Sequence, residues 1–73
     1  METGKRRNYS WLLQQREAMN MLQKDVAKKA KVSRQFYAMV ENGQRYPSPG
    51  VAVRIAKALN REDDWYTLLN TSD

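Results

Sequence analysis

The sequence predicts an all-α fold, a compact domain of five short helices. Three observations carry that reading. Apolar residues recur at i, i+3, i+4 and i+7, as in Ala52, Ile55, Ala56 and Leu59. Residues suited to opening helices (Ser10, Ser33, Ser48) alternate with residues suited to closing them (Asn20, Asn42-Gly43, Asn60). Strand-type alternation, internal repeats and low-complexity segments are absent.

Residues 1 to 8 are polar and basic without apolar periodicity, and they read as a flexible arm. A first helix runs from Ser10 as N-cap through Met19, with Trp11 and Leu12 supplying apolar contacts near its start. Asn20 closes it, since Asn tolerates the left-handed conformation that ends many helices. A second helix over about Gln23 to Ala30 puts Val26, Ala27 and Ala30 on one face and Lys24, Lys28 and Lys31 outward. Lys31-Val32 then leads to Ser33, the N-cap of a third helix ending near Asn42-Gly43.

The loop Gln44-Arg45-Tyr46-Pro47 leads to Ser48-Pro49, a cap followed by proline at the first helical position. The fourth helix runs from about Pro49 to Leu59 and is closed by Asn60. Asp63 or Asp64 can cap a short fifth helix, whose Trp65, Leu68 and Leu69 again fall at i, i+3 and i+4. The 73 residues thus read as one domain, with a basic arm at 1–8, a core at 9–60, and a short terminal helix and tail at 61–73.

Size and composition remove several chemistries. For 73 residues, surface scaling gives roughly 12,500 Å² unfolded and roughly 4,700 Å² folded, enough for one small core and no second domain. The chain has no Cys and no His, so disulfides, Cys-based zinc sites and the commonest general base are all missing. With no glycine-rich phosphate loop either, we expect no enzyme, no cofactor and no metal. At Asp63-Asp64 a helix cap is preferred to a metal site. The longest apolar run, Phe36 to Val40, is far too short to span a membrane. Asn8, Gln14 and Gln15 interrupt any export signal, so the expected location is the cytoplasm.

The net charge of +5 is unevenly placed. Residues 1 to 46 hold ten bases and four acids, whereas residues 47 to 73 hold three bases and four acids. Such a basic pole suits a polyanion, because each phosphate neutralised by Lys or Arg releases condensed counterions. Charge alone fits a solvated basic surface equally well.

The pattern of the second and third helices is more specific. Two short helices joined by a tight turn, the second entered through a Ser cap, match the helix-turn-helix plan, in which the second helix enters the major groove. The small residue needed where the helices cross is Ala27, and the turn position commonly held by Gly is Lys31. At about 100° per residue, Tyr37 and Val40 share the inward face, Arg34, Gln35, Ala38 and Met39 point outward, and Phe36 lies on the flank. Arg pairs with guanine O6 and N7, Gln with adenine N6 and N7, and Ala and Met lie against a thymine methyl.

These residues, with Arg16-Glu17-Ala18, Gln23-Lys24-Asp25-Val26-Ala27, Val32-Ser33-Arg34-Gln35, Val40-Glu41-Asn42-Gly43, Pro47-Ser48 and Ile55-Ala56-Lys57-Ala58-Leu59, give the chain its likeness. It resembles the Xre-type (phage-repressor, Cro/C1-like) helix-turn-helix family over roughly residues 10 to 60. The segment from Trp65 to Leu69 resembles the short terminal helix that many members carry. The resemblance implies a lambda-repressor-like domain in which Gln23 touches a phosphate and Arg34, Gln35 and Met39 face base edges or the groove. It also implies that Asn42, Gln44 and Arg45 grip the backbone after the recognition helix, and that Arg16 and Glu41 form a buried ion pair tying helix 1 to helix 3. The expected DNA-binding set is Gln23, Lys24, Ser33, Arg34, Gln35, Phe36, Ala38, Met39, Asn42, Gln44, Arg45 and Tyr46. For Phe36 a core flank is an equal expectation. The arm residues Lys5, Arg6 and Arg7 either reach DNA or stay disordered.

Four departures from the family pattern stand out. Lys31 replaces the turn glycine, at a cost of about 1 kcal/mol if left-handed. Leu22 takes the place of a Ser or Thr cap, which leaves the start of helix 2 uncapped at a cost of about 1 kcal/mol. Gln15 sits where relatives carry leucine. Tyr37 replaces an aliphatic core residue, and its hydroxyl needs a partner.

The implied function is a sequence-specific transcriptional regulator of double-stranded DNA, a repressor acting as a homodimer on a palindromic operator. Trp65, Leu68 and Leu69 are the expected dimer surface, although they can equally close the core. The alternative is an antitoxin-type module that binds a protein partner, a toxin or antirepressor, and uses DNA for autoregulation.

Overall fold

The computed structural model describes residues 10–70. The basic arm at 1–8 and the last three residues lie outside them, as does the side chain of Ser10. In chain order come α1 (Ser10–Ala18), α2 (Gln23–Ala30), α3 (Arg34–Glu41), α4 (Pro49–Ala58) and a terminal 3₁₀ helix (Glu62–Leu68). The fold class is the one the sequence predicts, all-helical with five helices and no strand among the described residues. No helix among those residues is long and apolar enough to cross a membrane.

All four α-helices end the same way. Asn20, Lys31, Gly43 and Asn60 are the described residues with positive φ (57°, 61°, 83° and 60°). Past each of them the next amide reaches back to the carbonyl of the last turn: Met21 to Arg16 at 3.0 Å, Val32 to Ala27 at 3.0 Å, Gln44 to Met39 at 2.8 Å and Arg61 to Ala56 at 2.8 Å. This is the Schellman arrangement, which satisfies carbonyls that a helix end would otherwise leave bare. Lys31 (φ 61°, ψ 43°) therefore does adopt the strained conformation, with its Cβ in place of glycine's hydrogen.

Helix starts are closed less uniformly. Ser33 Oγ accepts from the Phe36 amide at 3.0 Å, and Ser48 Oγ accepts from the Val51 amide at 3.4 Å. The Leu22 side chain has no oxygen to offer the first turn of α2. The start is nonetheless not bare, because the Asp25 carboxylate reaches back to accept from the Leu22 amide at 2.8 Å. This is the returning half of a capping box, and it softens the expected penalty.

The fifth helix differs from expectation. It begins at Glu62, is preceded by Arg61 without a side-chain cap, and winds as 3₁₀. Neither Asp63 nor Asp64 caps it. Asp64 instead pairs with Arg61, Nε to Oδ2 at 2.6 Å. The Arg61 guanidinium lies over the Trp11 ring at 4.6 Å. Trp11 Nε1 in turn donates to Thr67 Oγ1 at 2.9 Å, so the start of α1 holds the terminal helix in place.

The core is formed by Leu12 from α1, Val26, Ala27 and Ala30 from α2, Tyr37 and Val40 from α3, Ala52, Ile55 and Leu59 from the α4 region, and Leu68. α4 is the central element, packed on α2 to one side and on the 3₁₀ helix to the other. Leu68 is 3% exposed, so it belongs to the core of its own chain and is withdrawn from the expected dimer surface. Trp65 and Leu69 are half-buried against that core. Two polar side chains join elements across the fold. Gln15 Nε2 donates to the Leu59 carbonyl at 2.8 Å, and Arg54 Nε donates to the Ala30 carbonyl at 2.7 Å, each at a helix C-terminus where donors are favoured.

Candidate nucleic-acid interface

α3 is oriented by what it buries. Tyr37 and Val40 are 0% and 2% exposed, and Glu41 is 9% exposed. With that face fixed, Arg34 and Gln35 are exposed, while Phe36, Ala38 and Met39 are half-buried, Phe36 against the core. Ser33 is exposed and its hydroxyl is engaged as the helix cap.

Glu41 is the hub that sets α3 against the rest. Arg16 meets its carboxylate with two nitrogens, Nε to Oε2 at 2.8 Å and Nη2 to Oε1 at 3.0 Å. The paired side chains are 13% and 5% exposed, and this two-pronged geometry is the strong form of the contact. Arg16 Nη1 donates further to the Met21 carbonyl at 3.1 Å, in the turn leading to α2. Tyr37 Oη donates to Glu41 Oε2 at 2.8 Å, which supplies the partner its buried hydroxyl requires. Gln23 Nε2 donates to Glu41 Oε1 at 2.8 Å. Three helices thus converge on one carboxylate.

The electrostatics follow from this packing. Burial alone would push the Glu41 carboxyl up, but hydrogen bonds from Arg16, Gln23 and Tyr37 prevail and hold it below the ordinary carboxylate range. Arg16 is held more firmly protonated, chiefly by its hydrogen bond to Glu41. Burial, followed by the neighbouring carboxylate, drives the Tyr37 phenol far above its usual value.

The N-termini of α2 and α3 come together around a notch of about 370 Å³ lined by Arg16, Leu22, Gln23, Lys24 and Arg34. Three cations and an amide share it. Lys24 and Arg34 are exposed, whereas Gln23 is half-buried. No acceptor within the described chain serves the amides of Gln23 and Lys24, so the first turn of α2 offers donors into solvent. The remaining residues of the expected set, Asn42, Gln44, Arg45 and Tyr46, are exposed along the connection leaving α3. That connection is pinned by buried Pro47 just before α4.

Arg16 and Leu22, read from the sequence as an ion-pair partner and a missing cap, are also members of the notch, a place the sequence did not give them. Leu22 is 58% exposed at its edge, and Arg16 lines it while bound to Glu41. The signal for Leu22 was present in its replacement of a polar cap. Arg16 shows both roles only in three dimensions.

A pair of short helices joined through a left-handed Lys31, the second presenting an exposed Arg-Gln edge beside a cationic notch, defines a helix-turn-helix DNA-binding domain. The helix-turn-helix family HTH_3 matches residues 12–66. An uncharacterized HTH-type transcriptional regulator of Bacillus subtilis (strain 168), YqaF, is 40% identical over 55 residues, covering 75% of this chain and 70% of that protein. No solved structure gives a significant match. The chain belongs to the HTH_3 family, the Xre-type, Cro/C1-like helix-turn-helix proteins.

Proposed function

We propose that this HTH-type DNA-binding transcriptional regulator is a repressor that binds a palindromic operator as a homodimer, with α3 in the major groove. The observation that carries the reading is the exposed edge of α3, Arg34 and Gln35, on a helix whose opposite face is fixed by Tyr37, Val40 and Glu41. A helix held this firmly presents its side chains in one register, which direct readout requires. Gln35 reads adenine, Arg34 reads guanine or a neighbouring phosphate, and Ala38, Met39 and Phe36 lie against sugar or thymine methyl groups. Gln23 and Lys24, at the open first turn of α2, contact one phosphate run. Ser33, Asn42, Gln44, Arg45 and Tyr46 hold the backbone on the other side of the helix.

Two half-sites about one turn of DNA apart, roughly 34 Å, turn a weak monomeric contact into a usable one. With Leu68 committed to the core, the surface for the second copy is Trp65, Leu69 and the neighbouring Tyr66, which is 55% exposed. Occupancy of the operator then suffices for repression.

Selection of bound duplexes from a random DNA pool at two salt concentrations, repeated with Gln35→Ala, tests this. The expected result is an enriched palindrome with half-site centres about 10 to 11 base pairs apart, relaxed at one position by the substitution. Binding without sequence preference that collapses as salt rises would refute it.

A further inference from the structure

Gln23 is bound from behind by a group that can only accept. Its Nε2 donates to Glu41 Oε1 at 2.8 Å. The same carboxylate takes Arg16 Nε and Tyr37 Oη on Oε2, and Arg16 Nη2 on Oε1. Its side chain is 5% exposed, so water does not compete for those lone pairs. An ionised carboxylate has no hydrogen to give. A glutamine free in solvent can present either its oxygen or its nitrogen by half a turn of the amide. Here the turn is blocked, because the oxygen of Gln23 facing Glu41 would set two acceptors against each other.

Gln23 also lines the notch shared by Arg16, Lys24 and Arg34. A phosphate entering that notch needs donors, and Nε2 has one N–H left after serving Glu41. We propose that Glu41 is a positioning residue for DNA binding, fixing the Gln23 amide so that its remaining N–H is committed to a backbone phosphate. This rests on the reading of Gln23 as a phosphate contact. It adds that the contact is prepared from inside the fold: the rotamer freedom a glutamine loses on binding is already lost in the free protein. The two elements of the helix-turn-helix also become interdependent, since Glu41 belongs to α3 and the phosphate donor to α2.

The test couples protein variants to single-phosphate changes in the DNA. The probe is the duplex selected by the wild-type protein, synthesised as a set in which one phosphate at a time is replaced by a neutral methylphosphonate. The wild type is expected to lose about tenfold in affinity at one position facing α2, the equivalent of one charge-assisted hydrogen bond. Gln23→Met and Glu41→Gln, both checked for native helicity at the assay temperature, are expected to bind more weakly overall and to lose less than threefold at that position. Tyr37→Phe removes a bond to the same carboxylate but leaves Oε1 to Gln23, and it is expected to keep the wild-type pattern.

A purely structural Glu41 would weaken every duplex alike, and a full tenfold penalty surviving in Glu41→Gln would overturn the proposal. Should Glu41→Gln fail to fold, the side-chain amide of Gln23 in the wild-type protein decides by nuclear magnetic resonance. One proton protected from exchange supports positioning, and two protons exchanging alike refute it. A wild type that selects a sequence but loses nothing at any phosphate facing α2 removes the Gln23 contact and this proposal while leaving the repressor reading intact. A wild type that selects no sequence removes both.

Discussion

Tyr37 Oη donates to Glu41 Oε2 across one turn of α3 at 2.8 Å, and both side chains face inward. The position that resembles an aliphatic site in the family therefore holds a phenol that anchors a buried carboxylate. Its ring fills the core at 0% exposure, and its hydroxyl completes the donor set that Arg16 and Gln23 begin.

Tyr37→Phe is expected to cost about 1.5–3 kcal/mol, the range for a hydrogen bond to a charged group. Glu41→Leu is expected to cost more, about 3–5 kcal/mol, because it strands the Arg16 guanidinium with the Met21 carbonyl as its remaining partner. Urea unfolding of the three proteins measures both. Equal losses in the two variants would mean that the carboxylate contributes nothing beyond the phenol contact.

Stability is expected to fall at both ends of the pH scale, for different reasons. Glu41 is held below its ordinary value of 4.5, so the unfolded state takes up protons first as pH drops. Its contribution is complete above about pH 4.5 and is lost as pH falls through the folded-state value. Tyr37 is raised above its ordinary 10.0, so its contribution is complete below pH 10.0 and is lost as pH climbs beyond it. Thermal unfolding from pH 2 to 11 checks both limbs, and Tyr37→Phe should flatten the alkaline limb and shrink the acid limb in part, since the phenol is one of the three donors that hold Glu41 down.

Lys31→Gly is expected to stabilise the protein by about 0.5–1 kcal/mol. Relief of a left-handed residue bearing a Cβ, worth roughly 1–2 kcal/mol, exceeds the extra backbone freedom glycine adds to the unfolded chain. A rise in Tm with an unchanged denaturant slope is the expected signature.

Helix ends were legible because their causes are local. Asn20, Gly43 and Asn60 close helices through their own backbone preferences, and Ser33 and Ser48 open them through an oxygen three residues from its donor. Lys31 was legible only as a departure from a family pattern. What the chain does across long separations was hidden. Gln15 bonds to a carbonyl 44 residues away, and nothing around it announces that partner. The 3₁₀ winding after Arg61 escaped because Asp63 and Asp64 look like caps until Arg61 claims Asp64. In the candidate interface, the outward edge of α3 followed from angular spacing. The bond from Gln23 to Glu41 depends on how α2 crosses α3, which no spacing records.

Leu68→Ala is expected to cost about 2–5 kcal/mol, as for a leucine removed from a packed core. Tyr66→Ser, at a residue 55% exposed, should leave stability within about 0.5 kcal/mol and weaken the proposed homodimer in sedimentation. A Leu68→Ala protein of native stability would return that residue to the surface and contradict its placement.

Lys24→Ala is expected to weaken all duplexes to a similar degree and to lower the dependence of log K on log salt by about 1. Lys24 is exposed in the notch beside Arg34, and on the proposed reading it serves as a point charge for a phosphate and does not read a base. Loss confined to one base position would assign Lys24 to readout instead.

The hydrogen bond from Trp11 to Thr67 spans 56 residues, whereas the turns between α1, α2 and α3 close over a handful. Bringing such distant points together costs more loop entropy than a neighbouring helix contact, so this clasp is expected to form after the helix-turn-helix pair has docked. Its removal should therefore speed unfolding while leaving the folding rate nearly untouched. On that order of events the clasp is a latch on lifetime, setting how long the domain stays intact once made.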